Sequence, residues 1–340
     1  MAGERTRIID IAEELGVSTT TVSNVIHGKT KKISDETVKR VQELLEEKAY
    51  IPNMAGILLA QNNSRIVGIV VNNHEKYENR VLEDGFVSSS LNALSAELNQ
   101  AGYFMMVRVT SDWNEIVRIA SMWNMEGMVL IGFCEQDYKK LRESMHIPFV
   151  VYDGYFSTAP YRICNLVIDN YGGGYQAGEY LNRMGHQKVL CIADNYSYMD
   201  KERIEGCRAG LKEYPADFLC VPAVREKRRA FYQKNLAYIM QYTAVFAVSD
   251  LYAMELIHEL QAQGIRVPDD ISVVGFDDNI WCEKIFPSLT TIRQNPAERA
   301  EKAVEMIKKL KDGDSEETSV MLKVSLVKRD SVKRLGREGC

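Results

Sequence analysis

The chain has 340 residues, 46% of them hydrophobic and 26% charged, enough for two or three domains with cores of their own. A formal net charge of −5 excludes a broad electrostatic grip on nucleic acid, and no apolar run approaches the length that spans a bilayer. The seven cysteines are odd in number and widely spaced, with no CxxC pair and no Cys/His cluster, which excludes a disulfide framework and a zinc site.

Met1–Arg5 lead straight into a helical pattern without a secretory apolar region, so a cytoplasmic location is expected. Residues 9–28 read as two short helices joined by a tight turn. Ile8, Ile11, Ala12 and Leu15 share one face of the first helix, and Gly16 supplies the turn. Ser18 is a good N-cap for the second helix, whose buried face is Val22, Val25 and Ile26. Its other face carries Thr19, Thr20, Ser23 and Asn24, small groups that donate and accept hydrogen bonds. Such a face suits base-pair edges in a DNA major groove; the alternative is a helical hairpin with a solvated polar face. The first sixty residues hold nine acidic against eight basic side chains, so placement matters more than net charge. Lys29, Lys31 and Lys32 cluster just after the second helix, where a DNA backbone would pass. A third helix follows, capped by Ser34, with Asp35 and Glu36 at its positive end and Val38, Val41, Leu44 and Leu45 as its apolar stripe. It stops before Ile51-Pro52.

Residues 53–60 are apolar and short, with Gly56 in the middle, too marginal for a helix unless something holds it. From Ile66 the texture changes to alternating strands and helices. Strands are expected at 66–71, 103–109, 127–131, 149–152, 188–193, 244–248 and 272–275. Helices are expected at 82–101, 113–123, 173–184, 203–214, 231–241, 251–263 and 296–310. This alternation predicts an α/β core of parallel sheets covered by helices, split into two lobes. Gly172–Ala177 fits the G-x-G-x-x-A pattern of a dinucleotide site, with Asp194 at a plausible ribose distance. Asp169-Asn170 before it is a helix-start signal, and the glycines read better as close packing. His186 reads as a helix-terminus contact, since no nucleophile or acid pair lies beside it. No catalytic residue, cofactor or metal is expected.

Several motifs in chain order resemble the lactose-repressor/galactose-repressor (LacI/GalR) family of bacterial transcription regulators. They are Asp10-Ile11-Ala12…Gly16-Val17-Ser18…Thr21-Val22-Ser23, then Tyr50-Ile51-Pro52-Asn53 with Leu59-Ala60. In the core they are Asp169-Asn170, Gly185-His186, Arg203…Gly206, Ser249-Asp250, Val267-Pro268…Ile271–Asp278, Pro287…Leu289-Thr290-Thr291 and Lys328-Arg329-Asp330-Ser331. The resemblance implies an all-α helix-turn-helix headpiece (1–50), a hinge helix or linker (51–64) and a type I periplasmic-binding-protein-like core (65–340). The first lobe would be about 66–163 plus 292–322, the second about 164–290 plus 323–340. Ligand would sit between the lobes at the carboxyl ends of strands.

The resemblance carries DNA contacts onto Ser18, Thr19, Thr20, Ser23, Asn24, His27, Lys29, Asn53 and Leu59. Asn24 replaces a common Arg, which would shift preference toward adenine if it reaches a base; otherwise it is a solvated helix residue. Arg7 stands where the family often has a capping Thr, and Thr6 is expected to take over that cap. Leu59 matches an apolar wedge for the minor groove. Effector contacts fall on Arg203, Asp277, Ser249 and Asp250, with Asn72, Tyr77, Asp153 and Trp281 as further cleft residues. Asp250 is equally well a cap for the next helix, and Trp281 a core or dimer-surface residue. The implied protein is a homodimeric repressor of operator DNA, controlled by a small molecule, with sugars the family's commonest ligands. No heptad-repeat tail for a tetramer follows Ser331. The alternatives are a solute-binding protein without a DNA role and a nicotinamide-dependent enzyme.

Overall fold

The computed structural model describes residues 6–26, 28–50, 64–133, 141, 143–154, 164–313 and 319–336. The chain divides into two compact units, Met1–Asn62 and Asn63–Cys340. His27, Asn53, Leu59 and the hinge expected over 51–63 lie outside the described residues.

The first unit has three helices, α1 (Ile8–Leu15), α2 (Thr19–Ile26) and α3 (Asp35–Glu47). Gly16 ends α1 in the left-handed conformation at φ 66°, and the Val17 N–H returns to the Ala12 carbonyl at 3.0 Å. Ser18 Oγ accepts from the Thr21 N–H at 3.0 Å and so starts α2. Ile11, Ala12, Val22, Val25, Val41 and Leu44 form the shared core. The start of α1 differs from expectation. Arg7, not Thr6, is its N-cap, and Asp10 reaches back to accept from the Arg7 N–H at 2.7 Å and from its guanidinium at 3.0 Å. An acid in the first turn can do a capping hydroxyl's work because the orphan amides there are donors.

The second unit contains two six-stranded sheets. The first is built from β1 (Ile66–Val71), β2 (Phe104–Val109), β3 (Gly127–Ile131), β4 (Phe149–Tyr152), β5 (Cys164–Ile168) and β11 (Ser319–Leu322), in the order β11-β5-β4-β3-β1-β2. The second is built from β6 (Val189–Ala193), β7 (Ala216–Cys220), β8 (Ala244–Ala247), β9 (Ser272–Asp277), β10 (Thr290–Arg293) and β12 (Ser325–Val327), in the order β12-β10-β9-β8-β6-β7. Every pairing is parallel except β10 with β12. The central strands are apolar throughout, as strands covered on both faces must be.

The helices are α4 (Gly85–Gln100), α5 (Trp113–Met122), α6 (Asn170–Arg183), α7 (Tyr198–Leu211), α8 (Arg225–Ile239), α9 (Asp250–Ala262) and α10 (Pro296–Lys311). Among the described residues no helix is long and apolar enough to cross a membrane. The lobe boundary expected at 163/164 is wrong by one strand. Residues 164–168 pair with β4 and belong to the first sheet, so the chain crosses at Asp169. Likewise all of β10 lies in the second sheet, and the return crossing falls at 294–295 rather than 292.

The glycine run lies inside α6. Asp169 Oδ1 accepts from the Gly172 N–H at 2.7 Å and caps the helix. Gly174 and Gly178 then face Gly206 and Gly210 of α7. A Cβ on Gly174 would stand 1.9 Å from the Arg203 carbonyl oxygen, and one on Gly178 2.0 Å from that of Cys207. The two helices touch backbone to backbone, so the G-x-G-x-x-A match is a packing motif. His186 is likewise structural: it is buried, with Nδ1 3.0 Å from Thr243 Oγ1 and Nε2 3.0 Å from the Lys333 carbonyl oxygen.

Candidate ligand cleft and nucleic-acid interface

In each sheet the chain steps from its first strand to one side and then returns to the other. The two reversals lie between β1 and β3 and between β6 and β8. Loops leaving the carboxyl ends of such neighbouring strands diverge and leave a crevice. The two crevices face each other and enclose a cavity of about 430 Å³. The first lobe lines it with residues after β1, β3 and β4, including His74, Lys76, Tyr77, Phe133 and Asp153. The second lines it with residues after β6, β8 and β9, including Asp194, Asp200, Arg203, Ser249, Tyr252 and Asp277.

Arg203 is buried on α7. Its Nε donates to Asn170 Oδ1 at 2.9 Å, its Nη1 donates to the Val248 carbonyl at 2.7 Å, and its guanidinium lies 3.8 Å over the Phe276 ring. That leaves one edge toward Asp277, whose Oδ1 is 3.8 Å from Nη1. Asp277 ends β9 with φ at 125°, a conformation held against its intrinsic cost by the surrounding contacts. Burial pushes its carboxyl well above the ordinary carboxylate range, against the pull of Arg203.

The polar contacts continue across the lobe crossing. Gln294 Nε2 donates to Asp277 Oδ1 at 2.7 Å, and its Oε1 accepts from Arg299 Nη1 at 3.2 Å. Arg299 Nη2 then pairs with Asp153 Oδ1 at 2.8 Å. Arg203, Asp277, Gln294, Arg299 and Asp153 thus form one chain from the second lobe into the first, with both ends in the cavity. On the first-lobe wall, Tyr77 is pushed up to about 12 by burial, so its hydroxyl stays a donor. Asp84 is spent as the cap of α4, accepting from the Phe86 and Val87 amides at 3.0 and 3.1 Å.

Of the residues expected to touch an effector, Tyr77, Asp153, Arg203, Ser249 and Asp277 line the cavity. Asp250 does not. It is fully buried and accepts from Thr291 Oγ1 at 2.6 Å, the Asn279 N–H at 3.0 Å and the Cys282 thiol at 3.0 Å. Burial lifts its carboxyl to about 6. It is a knot beneath the floor, and only its neighbour Ser249 reaches the opening. Asn72 donates to the Gly132 carbonyl at 2.8 Å and accepts from Ser111 Oγ at 2.8 Å, bracing the loops rather than lining the cavity. Trp281 is 56% exposed on a short 3-10 turn outside the cavity. The expectation missed Lys76, Asp194, Asp200 and Tyr252 as cleft residues. Their signal was positional: all four follow strands that flank a reversal in strand order.

In the first unit Ser18, Thr19 and Thr20 are exposed, and Ser23 and Asn24 are half-buried on the face of α2 away from its core. Lys29, Lys31 and Lys32 are exposed just beyond the helix. The arrangement offers hydroxyl and amide groups along one helix and cations at its end, the combination that reads base edges and holds phosphates.

A family model described as "Bacterial regulatory proteins, lacI family" matches residues 7–53. A second, "Periplasmic binding protein-like domain", matches residues 179–332. The HTH-type transcriptional repressor PurR of Vibrio vulnificus (strain CMCP6) is 29% identical over 350 residues, covering 96% of this chain and 99% of that protein. The HTH-type transcriptional regulator DegA of Bacillus subtilis (strain 168) is 28% identical over 309 residues, covering 85% and 87%. These relatives are transcriptional regulators. Two solved structures share the fold. The lac repressor dimer bound to operator and the anti-inducer ONPF has a TM-score of 0.83 at 24% identity and covers 97% of this chain and 100% of that one. A LacI family transcriptional regulator from Enterococcus faecium with bound ribose has a TM-score of 0.68 at 22% identity and covers 80% and 100%.

Proposed function

We propose that this chain, whose residues 7–53 match the lacI-family model and residues 179–332 the periplasmic binding protein-like one, is a transcriptional repressor governed by a small molecule held between its two core lobes. The observation that carries this reading is the continuous polar chain from Arg203 to Asp153 along the cavity floor. A ligand that touches Asp277 and Asp153 touches both lobes, so it binds one lobe angle better than another and shifts that equilibrium. Two copies would then present their α2 helices to two half-sites of a near-palindromic operator. Within α2, Thr19, Thr20, Ser23 and Asn24 face the bases, while Ser18, Lys29 and, beyond the described residues, His27, Asn53 and Leu59 serve the backbone and minor groove.

A sugar is the ligand we favour. Carboxylates and a guanidinium suit vicinal hydroxyls, and Tyr77, Phe133 and Tyr252 supply apolar plates. The ribose in the Enterococcus faecium regulator is consistent with that class. The test is fluorescence anisotropy of labelled DNA from upstream of the protein's own gene, at low ionic strength, with and without a panel of pentoses, hexoses and disaccharides. Specific binding is expected, with one panel member changing affinity about 5- to 150-fold. Indifference to its own promoter DNA under every condition would leave a ligand-binding protein without a DNA role as the better description.

A further inference from the structure

Five carboxylates line the cavity, from Asp84, Asp153, Asp194, Asp200 and Asp277, together with Lys76, Arg203, Arg228 and His74. Asp153 is matched by Arg299 at 2.8 Å, and Arg228 by Glu255 at 2.5 Å. Asp277 faces Arg203 at 3.8 Å and Asp84 caps α4, which leaves Asp194 and Asp200 facing Lys76, with His74 the other basic side chain. The imbalance is concentrated on one wall. Asp194 and Asp200 are tied together by the Asn195 amide, whose Nδ2 lies 2.9 Å from one and 2.8 Å from the other. Among the described residues neither carboxylate has a salt-bridge partner. Nor is any trio of metal-ligating side chains placed to hold a metal ion. An organic cation is therefore the natural counter-charge.

The opposite lobe already brings a cation into the same cavity. Lys76, on the short turn after β1 in the opposite lobe, reaches into the cavity with its Nζ 5.0 Å over the Tyr77 ring. Burial by itself pushes an ammonium's pKa down. Here the carboxylates of Asp194, Asp200 and Asp84 pull the other way. Tyr77, Tyr198 and Tyr252 add aromatic faces beside the same wall.

We infer that the cleft's effector carries an ammonium or similar cationic group that seats against Asp194 and Asp200, and that Lys76 is a tethered stand-in that the effector displaces. This rests on the cleft being the effector site. It narrows the ligand from any polyol to an amine-bearing one and makes Lys76 a competitor of the effector, not its partner.

The test uses the full chain and two sets of probes matched in shape and differing in charge: glucosamine, glucose and glucuronate; and 1,5-diaminopentane, 1,5-pentanediol and glutarate. Isothermal titration should show the amine of at least one set binding tenfold or more tighter than its neutral counterpart, with the carboxylate weakest. Lys76→Met, which keeps the chain length and removes the charge, should tighten the amine several-fold and leave the neutral probe unchanged. Asp194→Asn should erase the amine's advantage; if that variant fails to fold, Lys76→Met decides alone. Tighter binding of the neutral or acidic member in both sets, no binding by either amine, or a weaker amine in Lys76→Met would overturn the inference. Operator anisotropy separates the two readings. A neutral sugar that alters DNA affinity keeps the effector cleft and sinks the cationic ligand. An amine that binds without altering DNA affinity does the reverse.

Discussion

Two helical pairs in this protein are built on small residues, and they use them in opposite directions. In the first unit, α1 and α2 pack through Ile11, Ala12, Val22 and Val25, and the small side chains of α2 face outward. In the core, α6 and α7 pack through Gly174, Gly178, Gly206 and Gly210, and their small residues face inward until carbonyls meet α-carbons. Thr19 and Thr20 leave their side chains exposed on α2, whereas the glycines remove the surface between two helices. A run of small residues therefore has no fixed meaning. What lies opposite decides it, and Thr19 and Thr20 of α2 lie exposed.

The sharpest way to break this comparison is to add one methyl group to the glycine seam. Ala in place of Gly in a helix interior ordinarily gains about 1 kcal/mol of propensity. At Gly178 the new Cβ would stand 2.0 Å from the Cys207 carbonyl oxygen, which belongs to backbone and cannot rotate away. Overpacking costs about 1–3 kcal/mol, and with unyielding backbone as the obstacle it outweighs the propensity gain. Gly178→Ala should therefore destabilise the core in urea titration. Because α7 carries Arg203, the displaced helix should also weaken ligand binding at the cavity. A Gly178→Ala protein as stable as the parent would mean that the two helices separate freely.

Gly16 sharpens the contrast, since the same residue type is needed there for a different reason. A Cβ at Gly16 meets nothing within 4 Å, so only the left-handed φ of 66° resists substitution. Gly16→Ala should cost about 1 kcal/mol, the usual penalty for a side chain in that conformation. Circular dichroism of thermal unfolding in an isolated headpiece is not needed; hydrogen exchange of α1 and α2 amides in the full chain reads the local loss. A penalty as large as that at Gly178 would show that crowding, and not backbone conformation, governs the turn.

The same distinction explains what was legible beforehand. The helix-turn-helix is a local pattern of about twenty residues, and its faces, turn and Ser18 cap follow from spacing alone. The parallel core was legible as alternation, yet five strands were not. β5 was missed because Asn165 interrupts its apolar run; that amide is turned aside to bind Gly154, accepting from its N–H at 2.9 Å and donating to its carbonyl at 2.5 Å. β7 is a half-exposed edge strand containing Asp217, and β10, β11 and β12 are too short to show a period. At the cleft, Arg203 and Asp277 stand beside recognisable motifs. Lys76 follows β1 of one sheet and the Asp194–Asp200 wall follows β6 of the other, and only the two reversals of strand order bring them together. Asp250 shows the opposite failure: a carboxylate after a strand looks like a ligand contact until its donors, from Asn279, Cys282 and Thr291, are seen to be internal.

The smallest expected effect on stability belongs to the outward face of α2. Asn24 is half-buried, and no hydrogen bond from its side chain ties it to the rest of the described unit. Asn24→Ala should therefore leave the unfolding free energy within about 0.5 kcal/mol of the parent, as surface changes away from caps and cores do. If Asn24 reads a base, the same variant should lose about 1–3 kcal/mol of discrimination at one operator position, seen by anisotropy against a set of single-base operator variants. Uniform weakening across all variants would instead assign it to the phosphate backbone. A large loss of stability would place it with the glycines of α6, as a residue that the fold needs. The outward face of α2 would then have to be narrowed to its exposed threonines.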